Sequence, residues 1–105
     1  MAVYQNANLA WLLLFQRNFV ESEQTARRAL ELDDTQTFVK VALAHALLFQ
    51  DKYEAAKTFY LELKPQKNIE SGRSYQEILL EDLDKLEQKG LTHKRINDIR
   101  QLLRQ

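Results

Sequence analysis

Leu9-Ala10-Trp11-Leu12-Leu13-Leu14-Phe15-Gln16 and Leu43-Ala44-His45-Ala46-Leu47-Leu48-Phe49-Gln50 agree at six of eight positions across a shift of 34 residues. The same shift sets Phe19 on Tyr53, Ser22 on Ala56 and Ala26 on Tyr60. Self-similarity at a fixed period of this size is the signature of units that stack on their own copies. Within each unit the apolar residues recur at helical spacing. Leu9, Leu12, Leu13 and Phe15 mark a first helix over about 3–16. Ala26, Ala29, Leu30 and Leu32 mark a second over about 19–32, after a break at Arg17-Asn18. A third helix over about 35–50 and a fourth over about 53–64 repeat the arrangement around Asp51-Lys52. Two helical pairs with one period are expected to share one packing geometry.

The helix ends carry their own signals. Asp34 or Thr35 is placed to accept the free N–H groups that open the third helix. Pro65 ends the fourth, because the residue before a proline disfavours helical geometry. Residues 65–73 form the one loop of any length. Ser74 then reads as an N-cap, with Glu77 three residues on completing a capping box. The fifth helix runs over about 75–89, and Gly90 suits the left-handed position that closes it. Thr92 is expected to cap the sixth, with Leu91 and Ile96 at the spacing of a hydrophobic staple. Residues 69–88 carry a net charge of −4 and residues 89–105 a net charge of +4, so an antiparallel hairpin would set opposite signs together.

Composition narrows the class. A chain of 105 residues is enough for one small domain. Only 2 Gly and 1 Pro, with 45% hydrophobic and 29% charged residues, exclude collagen-like and turn-dense β architectures and fit a folded helical domain. Lys and Arg number 15, as do Asp and Glu, so no net field draws the chain to nucleic acid or an anionic membrane. Lys94, Arg95, Arg100 and Arg104 are offset by the acidic helix before them. No Cys is present, which excludes disulfides, thiolate metal sites and a Cys nucleophile, and leaves the redox compartment open. The longest apolar run, Leu9 to Phe15, is far short of the roughly 20 residues of a membrane span, and no basic segment precedes it. The expected localisation is soluble and cytoplasmic by default. Apolar pattern begins at Val3 with no cap before it, as in a piece of a larger protein.

A period of 34 with two helices per unit resembles the tetratricopeptide repeat (TPR) family. Ala10 and Ala44 stand at the family's small position in the first helix, preceded by Leu9 and Leu43. Ser22 and Ala56 match the small residue of the second helix, and Phe19 and Tyr53 the aromatic that opens it. Leu13 and Leu47 take a place often held by tyrosine. Asn6 and Lys40 depart from a common tryptophan, Asp34 and Asn68 from a frequent proline, and Leu63 from the alanine that Ala29 keeps. The resemblance implies an all-α fold, a right-handed superhelical stack of antiparallel helix pairs with about six helices. Its repeats would cover about 3–36 and 37–70. Residues 74–105 would form a degenerate capping pair, as terminal repeats do.

The resemblance also implies a concave face lined by the first helix of each pair. Carried over by position, that face presents Tyr4, Ala7, Trp11, Leu14 and Phe15 from one repeat. Phe38, Val41, His45, Leu48 and Phe49 come from the next. Exposed apolar surface of this kind marks a contact surface. The expected function is non-catalytic: a protein–protein interaction module that takes an apolar peptide or helix, with Tyr4, Trp11, Phe15, Phe38, His45 and Phe49 as contacts. The alternative is a structural self-association module, a homodimer included, whose groove is filled by its own fifth and sixth helices or by a second copy. Ala7, Trp11, Val41 and His45 stand where some TPR proteins carry a clamp for a partner's terminal carboxylate, so that clamp is not expected. No cofactor or metal is expected, and no nucleic-acid or membrane partner. His45 has no carboxylate within one helical turn to orient it as a catalyst. His93 reads as a surface residue of a first turn.

Overall fold

The computed structural model describes residues 2–69 and 71–105, with side chains from residue 8 onward. Six helices form among them: α1 (Ala2–Phe15), α2 (Phe19–Leu32), α3 (Thr37–Phe49), α4 (Tyr53–Leu63), α5 (Tyr75–Gln88) and α6 (Ile96–Arg104). Among the described residues there is no strand. A single antiparallel bridge between Lys67 and Ser74 closes the loop before α5. The fold is all-α. Helices α1 and α2, α3 and α4, and α5 and α6 pack as pairs, and the pairs meet through α2–α3, α1–α3 and α4–α6.

The 34-residue period is visible in the turns. Arg17 and Asp51 both adopt left-handed backbone, with φ of 66° and 64°. The N–H groups of Asn18 and Lys52 reach back to the carbonyls of Leu13 and Leu47 at 2.9 and 3.0 Å. Those of Arg17 and Asp51 bond Leu14 and Leu48, each at 3.0 Å. This paired closure satisfies carbonyls that a helix end leaves free. It offsets the roughly 1–2 kcal/mol that a side chain costs in left-handed geometry. Gly90, at φ 84°, closes α5 in the same way without that cost.

Small residues let the paired helices approach. Ala10, Ser22, Ala26 and Ala29 in the first pair and Ala44 and Ala56 in the second are all fully buried. The Ser22 hydroxyl donates to the Ala10 carbonyl at 2.7 Å, so a backbone and a side-chain oxygen touch across the crossing. Helix α3 is the centre of the molecule. Every residue from Val41 to Leu48 is buried, the pattern of a helix enclosed on all sides. Its counterpart α1 is not so enclosed. Leu9 and Leu12 are 43% and 53% exposed, while Leu43 and Ala46, their equivalents 34 residues on, are at 0%.

Two helix starts differ from the sequence reading. Helix α3 begins at Thr37, and neither Asp34 nor Thr35 caps it. The Asp33 carboxylate instead accepts from the Thr35 N–H at 3.0 Å and from the Gln36 amide at 2.7 Å, which holds the chain in a turn for two more residues. Helix α6 begins at Ile96, so Thr92 is not its cap. Arg95 stands at the N-cap with no side-chain cap bond, and just before it the His93 ring closes a turn, its Nδ1 accepting from the Arg95 N–H at 3.1 Å. Ser74 does cap α5, accepting from the Glu77 N–H at 3.2 Å. The Glu77 carboxylate lies 3.4 Å from Arg73. The opposite charges of α5 and α6 do meet: Arg100 pairs with Asp84 at 2.8 Å and with Glu87.

Candidate functional site

The site begins with what lies on the shared face of α1 and α3. Helix α5 covers it over α3. Leu86 of α5 forms one apolar cluster with Leu14 of α1, Ala46 of α3 and Leu91. At the end of that contact the Arg17 guanidinium donates to the Gly90 carbonyl at 3.2 Å, joining the first interhelical turn to the end of α5. The turn between α3 and α4 is tied in the same region, where His93 Nε2 lies 3.1 Å from an Asp51 carboxylate oxygen. Since His93 Nδ1 accepts from a backbone N–H, its proton sits on Nε2 and is donated to Asp51. His93 is therefore a tie between helix pairs and not a free surface residue.

His45 is fully buried under α5, which removes it from the exposed contact set. The physical reason is a polar pairing across 37 residues. His45 Nε2 lies 3.3 Å from Asp82 Oδ2 on α5, and Nδ1 lies 2.6 Å from the Tyr60 hydroxyl on α4. A carboxylate only accepts, so Nε2 carries the proton and donates to Asp82. Nδ1 is then left to accept from the Tyr60 O–H. Burial, and next the charge of Asp82, push the Tyr60 hydroxyl well above its usual value, which keeps that donor protonated. The three side chains tie α3, α4 and α5 together. Asp, His and Tyr in this order could pass a proton. Here His45 and Tyr60 show no surface to solvent, so the network holds helices in place.

The aromatic residues fall into two groups. Phe15 stacks on Trp11 at 5.9 Å and 29°, Trp11 meets the edge of His45 at 5.4 Å, and His45 lies 5.5 Å from Tyr60. These four rings form a continuous file from the surface at Phe15, 37% exposed, to the core at Tyr60. Phe49 is apart from them. It is half-buried and stacks on Phe19 of the preceding pair at 5.2 Å and 19°. Phe38, near the start of α3, is half-buried against the core. The side chains of Tyr4 and Ala7 lie outside the described residues.

Beside Phe49, the next residue locks the two pairs. Gln50 donates to Glu23 at 2.8 Å, and Lys52 and Arg27 approach the same carboxylate at 3.0 and 2.7 Å. Partial burial pushes Glu23 up, but the hydrogen bonds from Arg27, Gln50 and Lys52 outweigh it and hold the carboxyl at about 2, against an ordinary 4.5.

Tyr60, Asp82 and Glu23 were not among the sequence candidates. Tyr60 carried a faint signal, a large polar ring where the first repeat has Ala26. Asp82 carried none, being one acid among several on its helix. Among the described residues no three His, Cys, Asp or Glu side chains are grouped to hold a metal ion, and no helix is long and apolar enough to cross a membrane. No protein-family model matches the chain, and the searches of curated proteins and of solved structures found no match.

Proposed function

We propose that this chain is a non-catalytic, TPR-like interaction module, and that its contact surface is the part of the α1–α3 face that α5 leaves open. The observation that carries this reading is the Phe15–Trp11 stack beside the exposed Leu9 and Leu12, mounted on a hairpin whose turn repeats 34 residues later. A rigid scaffold holds two large rings at its edge with one face still in contact with water. Aromatic anchors in such settings commonly supply most of the binding energy of an interface. The fitting partner is an amphipathic helix or apolar peptide that lays its own apolar stripe against α1. Phe49 and Phe38 serve the scaffold in this reading, and His45 supports Trp11 from below.

A random peptide library selected on the folded protein tests the proposal. The expected enriched peptides carry apolar residues at three- and four-residue spacing. They change the emission of Trp11, the one tryptophan of the chain, and lose binding to Phe15→Glu. Selection of no sequence pattern, or peptides indifferent to Phe15→Glu, would refute it.

A further inference from the structure

Both histidines of the chain stand between the C-terminal helix pair and the helices it packs on. His45 Nε2 on α3 donates to Asp82 of α5 at 3.3 Å. His93 Nε2, in the connection between α5 and α6, donates to Asp51 of the α3–α4 turn at 3.1 Å. The other nitrogen of each ring has a matching duty. Nδ1 of His45 accepts from the Tyr60 hydroxyl at 2.6 Å, and Nδ1 of His93 accepts from the Arg95 N–H at 3.1 Å. Each ring therefore gives one hydrogen to a carboxylate and takes one from a neighbour. Only a neutral imidazole does both, because the protonated ring has two donors and no acceptor.

A second ring proton meets a different obstacle at each place. At His93 it would point at the Arg95 N–H, a backbone donor that cannot accept. The ring then has to release the turn that leads into α6, where the Arg95 guanidinium lies 3.5 Å over the Tyr53 ring of α4 and pairs with Asp98 at 2.9 Å. The exposed Lys94 and Arg95 itself add like charge beside that ring. At His45 the groups in contact are Trp11 of α1, Tyr60 of α4 and Asp82 of α5. The Tyr60 hydroxyl could turn to accept, but its own hydrogen would lose the nitrogen it bonds to, on a residue with no exposed surface. Asp51 and Asp82 do attract a positive ring, yet each already holds the Nε2–H of the neutral one. The Asp51 side chain is 62% exposed, so water screens its attraction. Asp82 is less exposed, but there the ring itself is fully buried, and a charge on it would give up its water.

We propose that His45 and His93 are proton-sensitive pins: as the medium moves from about pH 7 to about pH 5, a proton taken up by each ring breaks its Nδ1 bond and loosens α5–α6 from α3–α4. The pair they hold is the cover of α3, so its loosening lowers the stability of the whole fold. The sign follows from linkage. The unfolded chain takes these protons without hindrance, so the stability the pins supply is present at neutral pH and is lost as pH falls. The range lies above the usual titration of carboxyl groups. Exclusion of one proton from the folded state changes the unfolding equilibrium by about tenfold per pH unit.

Urea titrations at steps from about pH 7 to about pH 5 test the pins. The wild-type folded-to-unfolded ratio is expected to fall by about tenfold or more across the range. His45→Gln and His93→Asn remove the titrating rings and keep a side-chain acceptor; the Asn oxygen can take the Arg95 N–H as Asp33 takes that of Thr35. The double variant should be nearly flat over the range, with each single variant between it and the wild type. If the double variant does not fold, His93→Asn alone decides, and its fall must be smaller than that of the wild type. The Arg95 amide resonance should also move over the same range. A wild-type chain as stable at the acid end as at neutrality, a variant that falls as steeply as the wild type, or an Arg95 amide that stays in place overturns the proposal. None of these outcomes touches the reading of α1 as a contact helix.

Discussion

Replacing Tyr60 by Phe isolates the buried network with little change of shape. The ring and its packing stay, and one O–H is lost from a residue with no exposed surface. The bond removed is 2.6 Å long, and its acceptor, His45 Nδ1, is equally buried. Among the described residues Tyr60 is the donor at that nitrogen, and the ring's own proton is committed to Asp82 at Nε2. An unsatisfied buried acceptor costs about 1–3 kcal/mol. In a domain of this size each kcal/mol moves Tm by about 4–8 °C. Tyr60→Phe is therefore expected to lower Tm by about 4 °C at least and about 24 °C at most. Thermal melts and urea titrations at neutral pH read the change. A second arm separates the bond from the ring: His45→Leu removes the orphaned acceptor, so the double variant should be more stable than the sum of the two single losses. Tyr60→Phe melting with the wild type, or strict additivity in the double variant, would refute the proposed donor–acceptor order.

Two further predictions follow from other parts of the fold. Ala44→Leu places a larger side chain in a fully buried crossing and should cost about 1–3 kcal/mol, whereas the exposed Ala55→Leu should melt close to wild type; equal melting of all three proteins would contradict the close approach of the helices. Glu23 has a folded value of about 2 against 4.5, so the stability it supplies is present above about pH 4.5 and is lost as pH falls toward 2. The difference in unfolding free energy between the wild type and Glu23→Gln should therefore be largest at neutral pH and shrink steadily below pH 4.5, and a difference independent of pH would count against the Gln50–Glu23–Lys52 lock.

The elements of this fold were legible because they are local. Apolar spacing, the Arg17-Asn18 and Asp51-Lys52 breaks, Ser74 and Gly90 each act within a few residues, and the helices form where those signals place them. The two shifted starts have one cause. A side chain just upstream, Asp33 or His93, offers the backbone a turn that competes with the helix, and such local bonds leave little trace in composition. The sequence leaves the covering of α3 by the chain's own fifth helix as one alternative, but the residues that make it are not legible. It depends on His45 meeting Asp82 and on Leu86 reaching Leu14 and Ala46, contacts between residues far apart in the chain. The apolar list from α1 and α3 was therefore a mixture. Part of it is core shared with α5, and part, at Trp11 and Phe15, still meets water.

The complete enclosure of α3 bears on how the molecule comes apart. Long helical arrays unravel from their ends, one unit at a time, because each unit leans only on its neighbours. Here one central helix touches α1, α2 and α4 along its length and α5 through a charged tether. Any hairpin that leaves strips cover from the same eight residues, and so weakens the hold on the others. Partial states are thereby penalised, and loss of order proceeds as one event, with the amides of Val41–Leu48 the last to trade their protons for solvent deuterons.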